Sequence, residues 1–256
     1  MSSAMTILLT FDVEEFDLPL EYNIPITEKE QMRVGKAGLD EIEKVLVEQH
    51  INSTLFTTAN FALQYPQQIK KLSDSNEIAS HCFYHGSFKK EDLLNSRVAL
   101  EEICKKDIEG VRMPRFRPVD IGWLKEAGYK YDSSVNPTYI PGKYNNRHLP
   151  RTVYVEKDMI RVPVSVSPNF RFPLFWLSFK NIPYGVFKKL ALRTLKKDGY
   201  LSLYFHPWEF TDLSSYSVPF YVKKNSGPRL LDRLHLLITD LKKEGEFISM
   251  SSFIKN

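Results

Sequence analysis

The chain has 256 residues, of which 43% are hydrophobic and 26% charged, a balance typical of a globular protein with a sizeable core. Its net charge of +4 is scattered, no nucleic-acid-binding motif occurs, and no stretch approaches the ~18 uninterrupted apolar residues of a membrane span. Cys82 and Cys104 form no disulfide framework and the N-terminus lacks a signal-peptide pattern, so we expect a cytoplasmic protein, with the inner face of the membrane as an option.

Short apolar strands alternate with helices along the first half of the chain. The apolar run 6–11 predicts a buried strand, and apolar residues at helical spacing predict a helix over 34–49. The same alternation continues to the middle of the chain. It predicts strands over 53–58, 77–81, 111–116 and 129–135, and helices over 61–72, 91–106 and 120–128.

The alternation breaks in the middle of the chain and then resumes. Residues 136–150 predict a long loop, 154–166 a hairpin, and 168–183 an aromatic and proline-rich stretch. A helix over 184–197, a strand over 200–206, a helix over 230–243 and a last strand over 247–254 follow. We interpret 1–256 as a single catalytic domain in which 136–183 is an insertion or lid-like segment.

Strands that alternate with helices indicate an α/β fold with a parallel sheet. About seven strands over this length favour a barrel of the (β/α) type. An open doubly wound sheet is the alternative, and it would be expected to carry a glycine-rich phosphate loop after the first strand. The chain instead has Asp12-Val13-Glu14-Glu15 at that point.

Polar side chains follow several of the predicted strands. The carboxyl ends of parallel strands meet at one face of a barrel, which is where barrel enzymes carry their active sites. Such a collection of charge at one face is difficult to explain by structural needs alone. The residues concerned are Asp12, Glu14, His81, His85, Arg112, Arg115 and His206.

A pair of histidines four residues apart, next to a carboxylate, predicts a metal site. His81 and His85 with Glu14 leave one coordination position open, as a catalytic zinc site does. The same donors also suit non-haem iron or another divalent metal. Glu15 stands beside Glu14 and remains an alternative ligand. Arg112 lies within an apolar strand and requires an acidic partner, for which Asp12 is the candidate.

These segments resemble the polysaccharide deacetylase family, also called the NodB-homology or carbohydrate esterase 4 family. The resemblance covers nearly the whole chain in order and implies a distorted (β/α)7 barrel. The beginning Asp-Val-Glu and the ending His-Pro-Trp-Glu are most similar to the branch found with exopolysaccharide and surface-glycan synthesis. The matching segments are TFDVE at 10–14, EIASH at 77–81 with the histidine at 85, GVRMPRF at 110–116, YDSS at 131–134 and LYFHPWE at 203–209.

The resemblance implies a role for each residue of the predicted site. Asp12 would be the general base, held by Arg112, and His206 the general acid. Glu14, His81 and His85 would bind Zn²⁺ or a similar divalent metal. The backbone N–H of Arg115 would stabilise the oxyanion, and Trp208 would lie at the substrate. This chain departs from the family pattern at three points. Secreted members usually carry two adjacent aspartates where this chain has Asp12 and Glu14, the third motif usually has a tyrosine in place of Arg115, and the tryptophan usual in the fourth motif is absent here.

The implied function is removal of N-acetyl groups from the amino sugars of a polysaccharide or oligosaccharide. The expected partner is therefore a glycan, with a lipid-linked glycan and a homo-oligomer both left open. An allantoinase-like hydrolysis of another amide or imide, or glycan binding without catalysis, are the alternatives. A non-haem iron oxygenase with the same ligands is disfavoured, because those enzymes usually have antiparallel β folds.

Overall fold

The computed structural model describes residues 5–255, which form eleven strands, ten α-helices and three short 3₁₀ helices. The strands are β1 (Met5–Val13), β2 (Thr54–Thr57), β3 (Glu77–Ser80), β4 (Gly110–Val111), β5 (Tyr131–Asp132), β6 (Tyr139–Ile140), β7 (Tyr144–Asn145), β8 (Tyr154–Glu156), β9 (Met159–Arg161), β10 (Tyr200–Phe205) and β11 (Gly245–Phe247). The helices are α1 (Glu28–Glu48), α2 (Ala59–Gln64), α3 (Pro66–Leu72), α4 (Glu91–Cys104), α5 (Ile121–Glu126), α6 (Trp176–Asn181), α7 (Tyr184–Asp198), α8 (Phe220–Lys223), α9 (Pro228–Leu241) and α10 (Met250–Lys255). The 3₁₀ helices are Leu18–Tyr22, Pro114–Phe116 and Pro207–Phe210.

Nine strands form one curled sheet in the order β10-β1-β2-β3-β4-β5-β9-β8, with β11 also paired to β1. Neighbouring strands are parallel except in the β8–β9 hairpin. The chain after β9 links the two sides of the sheet: Val164 N donates to Val135 O and Ser165 N donates to Ser202 O, each at 2.9 Å. The predicted α/β class and distorted barrel are confirmed.

The alternation of side chains along β1 explains why the barrel interior is polar at one end. Leu9 and Phe11 belong to the large hydrophobic cluster that the outer helices cover. Leu8 points to the opposite side and packs in the barrel interior with Phe56. Because successive residues of a strand face opposite sides, the interior face of β1 continues from Leu8 through Thr10 to Asp12. The apolar interior thus gives way to polar groups at the carboxyl end of the strand.

Three predicted strands are wrong in extent or type. The strand predicted over 129–135 is limited to β5, Tyr131–Asp132. The strand predicted over 111–116 ends at Val111, because the chain turns at Pro114 into a 3₁₀ helix in which Arg115 and Phe116 take left-handed φ values of 57° and 53°. The strand predicted over 247–254 is mostly helix α10. Ser249 Oγ caps this helix by accepting from Ser252 N at 3.2 Å.

Helix α10 covers the amino end of the barrel. Thr54 Oγ1 accepts from Met250 N at 2.9 Å, and Glu77 Oε2 accepts from Ser251 N at 3.0 Å, so the barrel satisfies the free N–H groups at the start of the helix. Phe253 packs against the apolar interior. The amino end is therefore closed, which leaves the carboxyl end as the open one.

The segment predicted as an insertion contains more regular structure than the sequence indicates. The predicted loop 136–150 includes the two-residue strands β6 and β7, and the predicted hairpin within 154–166 is present as β8 and β9. The aromatic stretch 168–183 contains α6, which the sequence analysis does not anticipate. Within residues 5–255, no helix has the length and apolar character needed to cross a bilayer.

Candidate active site

A cavity of about 480 Å³ lies at the carboxyl ends of β1, β3 and β10. Its volume is within the ~300–1,000 Å³ usual for small-molecule sites. Every residue predicted for the site lines this cavity except Arg112, which lies behind Asp12. The structure therefore brings together side chains that are up to about 200 positions apart in the sequence. Those that line the cavity are Asp12, Glu14, His81, His85, Arg115, His206 and Trp208.

Glu14, His81 and His85 present three ligand atoms to one point. Nε2 of His81 lies 3.1 Å, and Nε2 of His85 3.0 Å, from Oε2 of Glu14. All three residues are buried, and they form the one such cluster found in residues 5–255. Ligand atoms at ~2.0–2.2 Å from a tetrahedral ion lie about 3.4 Å from one another. The spacing and the donor types therefore fit a divalent metal ion.

Hydrogen bonds orient both imidazoles towards that point. His81 Nδ1 lies 2.7 Å from the carbonyl oxygen of Arg112, and His85 Nδ1 lies 2.7 Å from Oδ1 of Asp17. A carbonyl and a carboxylate only accept, so in each ring Nδ1 carries the hydrogen and Nε2 offers the lone pair of the neutral imidazole. A partner on the second nitrogen is usual for histidines that bind metals.

The structure separates the two adjacent glutamates. Glu14 Oε1 accepts from Trp208 Nε1 at 3.0 Å, which leaves Oε2 with the histidines. The side chain of Glu15 points elsewhere and accepts from Thr58 Oγ1 at 2.8 Å and Asn60 Nδ2 at 2.6 Å. Glu14 is thus the carboxylate whose oxygen meets both imidazoles.

The pKa of Glu14 favours an ionised ligand. Burial alone would raise this pKa, but the histidines around it, His85, His206 and His81, lower it below its ordinary value. Burial is also the main influence on neighbouring Glu15, and there it leaves the pKa above its ordinary value. The negative charge at the centre of the cluster is therefore carried by Glu14.

Asp12 is held by a buried guanidinium. Arg112 Nη1 donates to Asp12 Oδ1 at 2.6 Å and to Thr10 Oγ1 at 2.9 Å, and Nη2 donates to Ser133 Oγ at 3.0 Å. Arg112 has no exposed surface and stacks over the ring of Phe56, 4.0 Å from the ring centre. Because Oδ1 of Asp12 is engaged by Arg112, Oδ2 is the oxygen left for the cavity.

His206 lies beside the cluster of Glu14, His81 and His85. Its Nε2 is 4.0 Å from Asp12 Oδ2 and 4.0 Å from Glu14 Oε1. Burial alone would lower the pKa of His206, but the carboxylates of Glu14, Glu209 and Asp12 raise it above the ordinary value. The imidazole is therefore suited to carry a proton that it can donate.

The structure also identifies a residue that the sequence analysis missed. Asp17 is buried and bridges the site, because its Oδ1 accepts from His85 and its Oδ2 pairs with Arg115 Nη2 at 2.9 Å. The side chain of Arg115 also donates to Glu21 Oε1 at 2.6 Å. The side chain of Arg115 therefore supports the cavity wall around His85. No motif in the sequence predicts this contact.

A sequence model of the polysaccharide deacetylase family matches residues 2–131, just over half of the 256-residue chain. No curated protein matches the sequence significantly. Several solved structures share the fold. One, assigned as a polysaccharide deacetylase from Mycobacterium smegmatis, is 17% identical, with a TM-score of 0.67 over 100% of this chain and 91% of the other.

Two further structures share the fold but differ in their described activity. Puue allantoinase is 15% identical, with a TM-score of 0.67 over 99% of this chain and 90% of the other. A carbohydrate esterase 4 family pseudoenzyme from Bacillus anthracis is 11% identical, with a TM-score of 0.52 over 97% of this chain and 64% of the other. At these identities the likeness establishes the fold alone. The family match decides the assignment: this chain belongs to the polysaccharide deacetylase family, and it is a hydrolase that acts on carbon–nitrogen bonds.

Proposed function

We propose that this chain is a Zn²⁺-dependent enzyme that removes N-acetyl groups from the amino sugars of a glycan. The observation that carries the proposal is the convergence of three groups in one cavity. Nε2 of His81 and Nε2 of His85 each lie within 3.1 Å of Oε2 of Glu14, and together they form the first group. Asp12 and His206, which flank this cluster, are the other two. A metal site, a base and an acid are the parts that amide hydrolysis requires.

Glu14, His81 and His85 would hold the ion. When bound, a divalent ion in this position supplies Lewis acidity for the acetyl carbonyl and for water. Asp12 Oδ2 accepts the proton of the attacking water, while Arg112 holds the carboxylate in place through Oδ1. The backbone N–H of Arg115 donates to the developing oxyanion.

His206 completes the reaction as the general acid. Its Nε2 gives a proton to the sugar nitrogen as the carbon–nitrogen bond breaks, because an unprotonated amide anion is far too basic to leave. Acetate and a free amino sugar are the products. Nε2 of His206 lies 4.0 Å from Oδ2 of Asp12, which supports the roles of Asp12 as base and of His206 as acid at the same substrate group.

Further residues that line the cavity support a sugar substrate. Tyr144, Phe175, Trp176 and Tyr204 provide aromatic surface, and Asn146 provides a polar group. Aromatic rings next to a few polar groups are usual in ligand sites. We propose that 136–183 is the part of a single domain that binds the glycan. Trp208, which the resemblance would place at the substrate, donates its indole N–H to Glu14.

The finer identity of the substrate is also a proposal. The beginning Asp-Val-Glu and the ending His-Pro-Trp-Glu support a precursor of a surface glycan or exopolysaccharide, free or lipid-linked. Cys82 and Cys104 are buried free thiols, which supports a reducing, cytoplasmic location. The allantoinase of the same fold keeps hydrolysis of another amide or imide as the second candidate.

Acetate release from N-acetylglucosamine oligomers tests the proposal. We expect the Zn²⁺-loaded protein to release acetate, chelation to abolish release, and Glu14→Ala and His81→Ala to reduce kcat/KM by at least ~10²-fold. A panel that contains allantoin separates the second candidate. Unaltered acetate release in both variants would contradict the metal assignment, and glycan binding without any acetate release would favour a non-catalytic role.

A further inference from the structure

A buried lysine lies behind the proposed general acid. Lys180 is on α6 and has no exposed surface. Its Nζ donates to the carbonyl oxygen of Val222 at 2.8 Å and lies 3.3 Å from Oε2 of Glu209, which is also fully buried. An unpaired ammonium group is costly to bury in such surroundings, so Lys180 and Glu209 each require the opposite charge of the other. Removal of either partner leaves a buried charge without compensation.

The second oxygen of the same carboxylate holds His206. Glu209 Oε1 lies 2.9 Å from the backbone nitrogen of His206 and 3.1 Å from its Nδ1. A carboxylate accepts only, so Nδ1 carries the hydrogen and Nε2 faces the cavity. Lys180, Glu209 and His206 therefore form a chain from the helix α6 to the proposed acid.

The same helix also fixes the ring of His206. Trp176, one turn before Lys180 on α6, meets the imidazole edge-on, with ring centres 5.2 Å apart. Trp208 stacks on it at 4.8 Å with a tilt of 20°. Lys180 Nζ lies 5.5 Å from the centre of the Trp176 ring. One face, one edge and Nδ1 of the imidazole are thus held, and Nε2 is the nitrogen left for chemistry.

We propose that Lys180 and Glu209 are positioning residues that keep the proton on Nδ1 of His206 and aim Nε2 at the leaving nitrogen. The inference rests on the proposed function, in which Nε2 gives its proton to the sugar nitrogen as the carbon–nitrogen bond breaks. Glu209 retains its hydrogen bond to Nδ1 throughout, and Lys180 holds the carboxylate in place from the other side, with Nζ 3.3 Å from Oε2. Both residues lie outside residues 2–131, the segment that the family model matches.

A purely structural pair would behave differently. If Lys180 only joins α6 to α8, its removal impairs every reaction of the site equally. If it acts through His206, its removal impairs only reactions in which the leaving group needs a proton. An acetamide needs that proton, whereas 4-nitrophenyl acetate does not, because 4-nitrophenolate leaves readily as an anion.

The experiment compares both substrates in Lys180→Met, Glu209→Gln and the double variant, all loaded with Zn²⁺. We expect kcat on the N-acetyl oligosaccharide to fall by about 10- to 100-fold, with KM and the rate on 4-nitrophenyl acetate within about 3-fold of the parent. The double variant should lose no more than Glu209→Gln alone. Because it contains no unpaired charge, it also guards against misfolding of Lys180→Met.

Lys188→Met provides a matched control. Lys188 on α7 forms a partly exposed pair with Asp240 at 2.8 Å, and neither residue lines the cavity. It should retain both activities. An equal loss on both substrates in the folded variants, or full retention of amide hydrolysis, would overturn the positioning role.

A nuclear magnetic resonance measurement separates this inference from the proposed function. If the parent protein releases no acetate from any glycan, the proposed function fails, yet the ¹⁵N shifts of His206 still report its tautomer. We expect the neutral ring to carry its hydrogen on Nδ1 in the parent and a mixture of tautomers in Lys180→Met. A parent ring protonated mainly on Nε2 would overturn the inference.

Discussion

Trp208 Nε1 donates a hydrogen bond to Oε1 of Glu14 at 3.0 Å, although the two residues are 194 positions apart in the sequence. This contact satisfies one carboxylate oxygen and leaves Oε2 to the two imidazoles. The indole also packs on the ring of Phe16, with ring centres 5.2 Å apart. One tryptophan therefore orients the proposed metal ligand Glu14 and also stacks on His206.

Trp208→Phe should weaken metal binding without unfolding the protein. The phenyl ring keeps much of the stacking but lacks the N–H, so Glu14 loses the bond that fixes its rotation. Loss of such outer contacts typically costs ~10- to 100-fold in metal affinity. A Zn²⁺ competition titration with a chromophoric chelator measures the change. Trp123→Phe, on α5 and partly exposed, is the control, and equal affinities in the two variants would refute the assignment.

Asp17 should matter for metal affinity as much as Trp208 does. Its Oδ1 accepts a hydrogen bond from Nδ1 of His85, and the two atoms are 2.7 Å apart. Asp17→Ala removes that acceptor, and we expect Zn²⁺ affinity to fall by ~10- to 100-fold. Asp17→Asn retains an acceptor oxygen and should lose less.

Glu21→Gln is the matched control for Asp17. Both acids pair with Arg115, but only Asp17 contacts a histidine of the cluster. Competition titrations of the three variants separate the two roles. A loss in Glu21→Gln as large as in Asp17→Ala would show that the arginine network, and not the contact with His85, is responsible.

Adjacent Glu14 and Glu15 should differ sharply when each is replaced by glutamine. Glu14 meets both imidazoles, whereas Glu15 is bound by Thr58 and Asn60. We expect Glu14→Gln to retain less than a tenth of the bound zinc after dialysis, as a site that loses its anionic ligand should. Elemental analysis should find near-stoichiometric zinc in Glu15→Gln. The reverse pattern would transfer the ligand role to Glu15.

Gly38 on α1 allows this helix to approach the 3₁₀ helix Pro207–Phe210, which carries Trp208. A Cβ atom at this position would lie 2.0 Å from the carbonyl oxygen of Pro207. Gly38→Ala should therefore lower the free energy of unfolding by about 1–3 kcal/mol or more, as overpacking does. Denaturant titration measures it. Gly185→Ala, which would meet no atom within 4 Å, should be neutral or slightly stabilising, and similar losses in both would contradict this reading.

The barrel and its polar face were predictable because they depend on short-range patterns. Apolar runs that alternate with helical periodicity reveal β1, β2, β3 and β10, and the polar residues follow directly after them. A buried arginine requires an acid, and the structure pairs Arg112 with Asp12 at 2.6 Å. These features follow from the period of the strands and from the cost of unpaired charge.

Other features were not predictable, because they depend on distant contacts or on backbone turns. Asp17 meets His85 at the point where the chain has left β1 and is about to enter the 3₁₀ helix Leu18–Tyr22, and no spacing in the sequence indicates this. Lys180 lies on a helix of six residues in an aromatic stretch with no clear period. The segment 247–254 has the composition of a strand, yet Ser249 and the amino end of the barrel provide the caps that make it a helix.

The pairing of β1 with β10 has a consequence for the timing of folding. Thr10 of β1 pairs with Tyr204 of β10, so this edge of β1 stays uncovered until β10 has been made. Closure of so long a loop is slow, and such contacts form late. During synthesis Glu14, His81 and His85 are made before His206, which follows His85 by 121 positions. A nascent chain can therefore contain all three proposed metal ligands before it contains the proposed general acid.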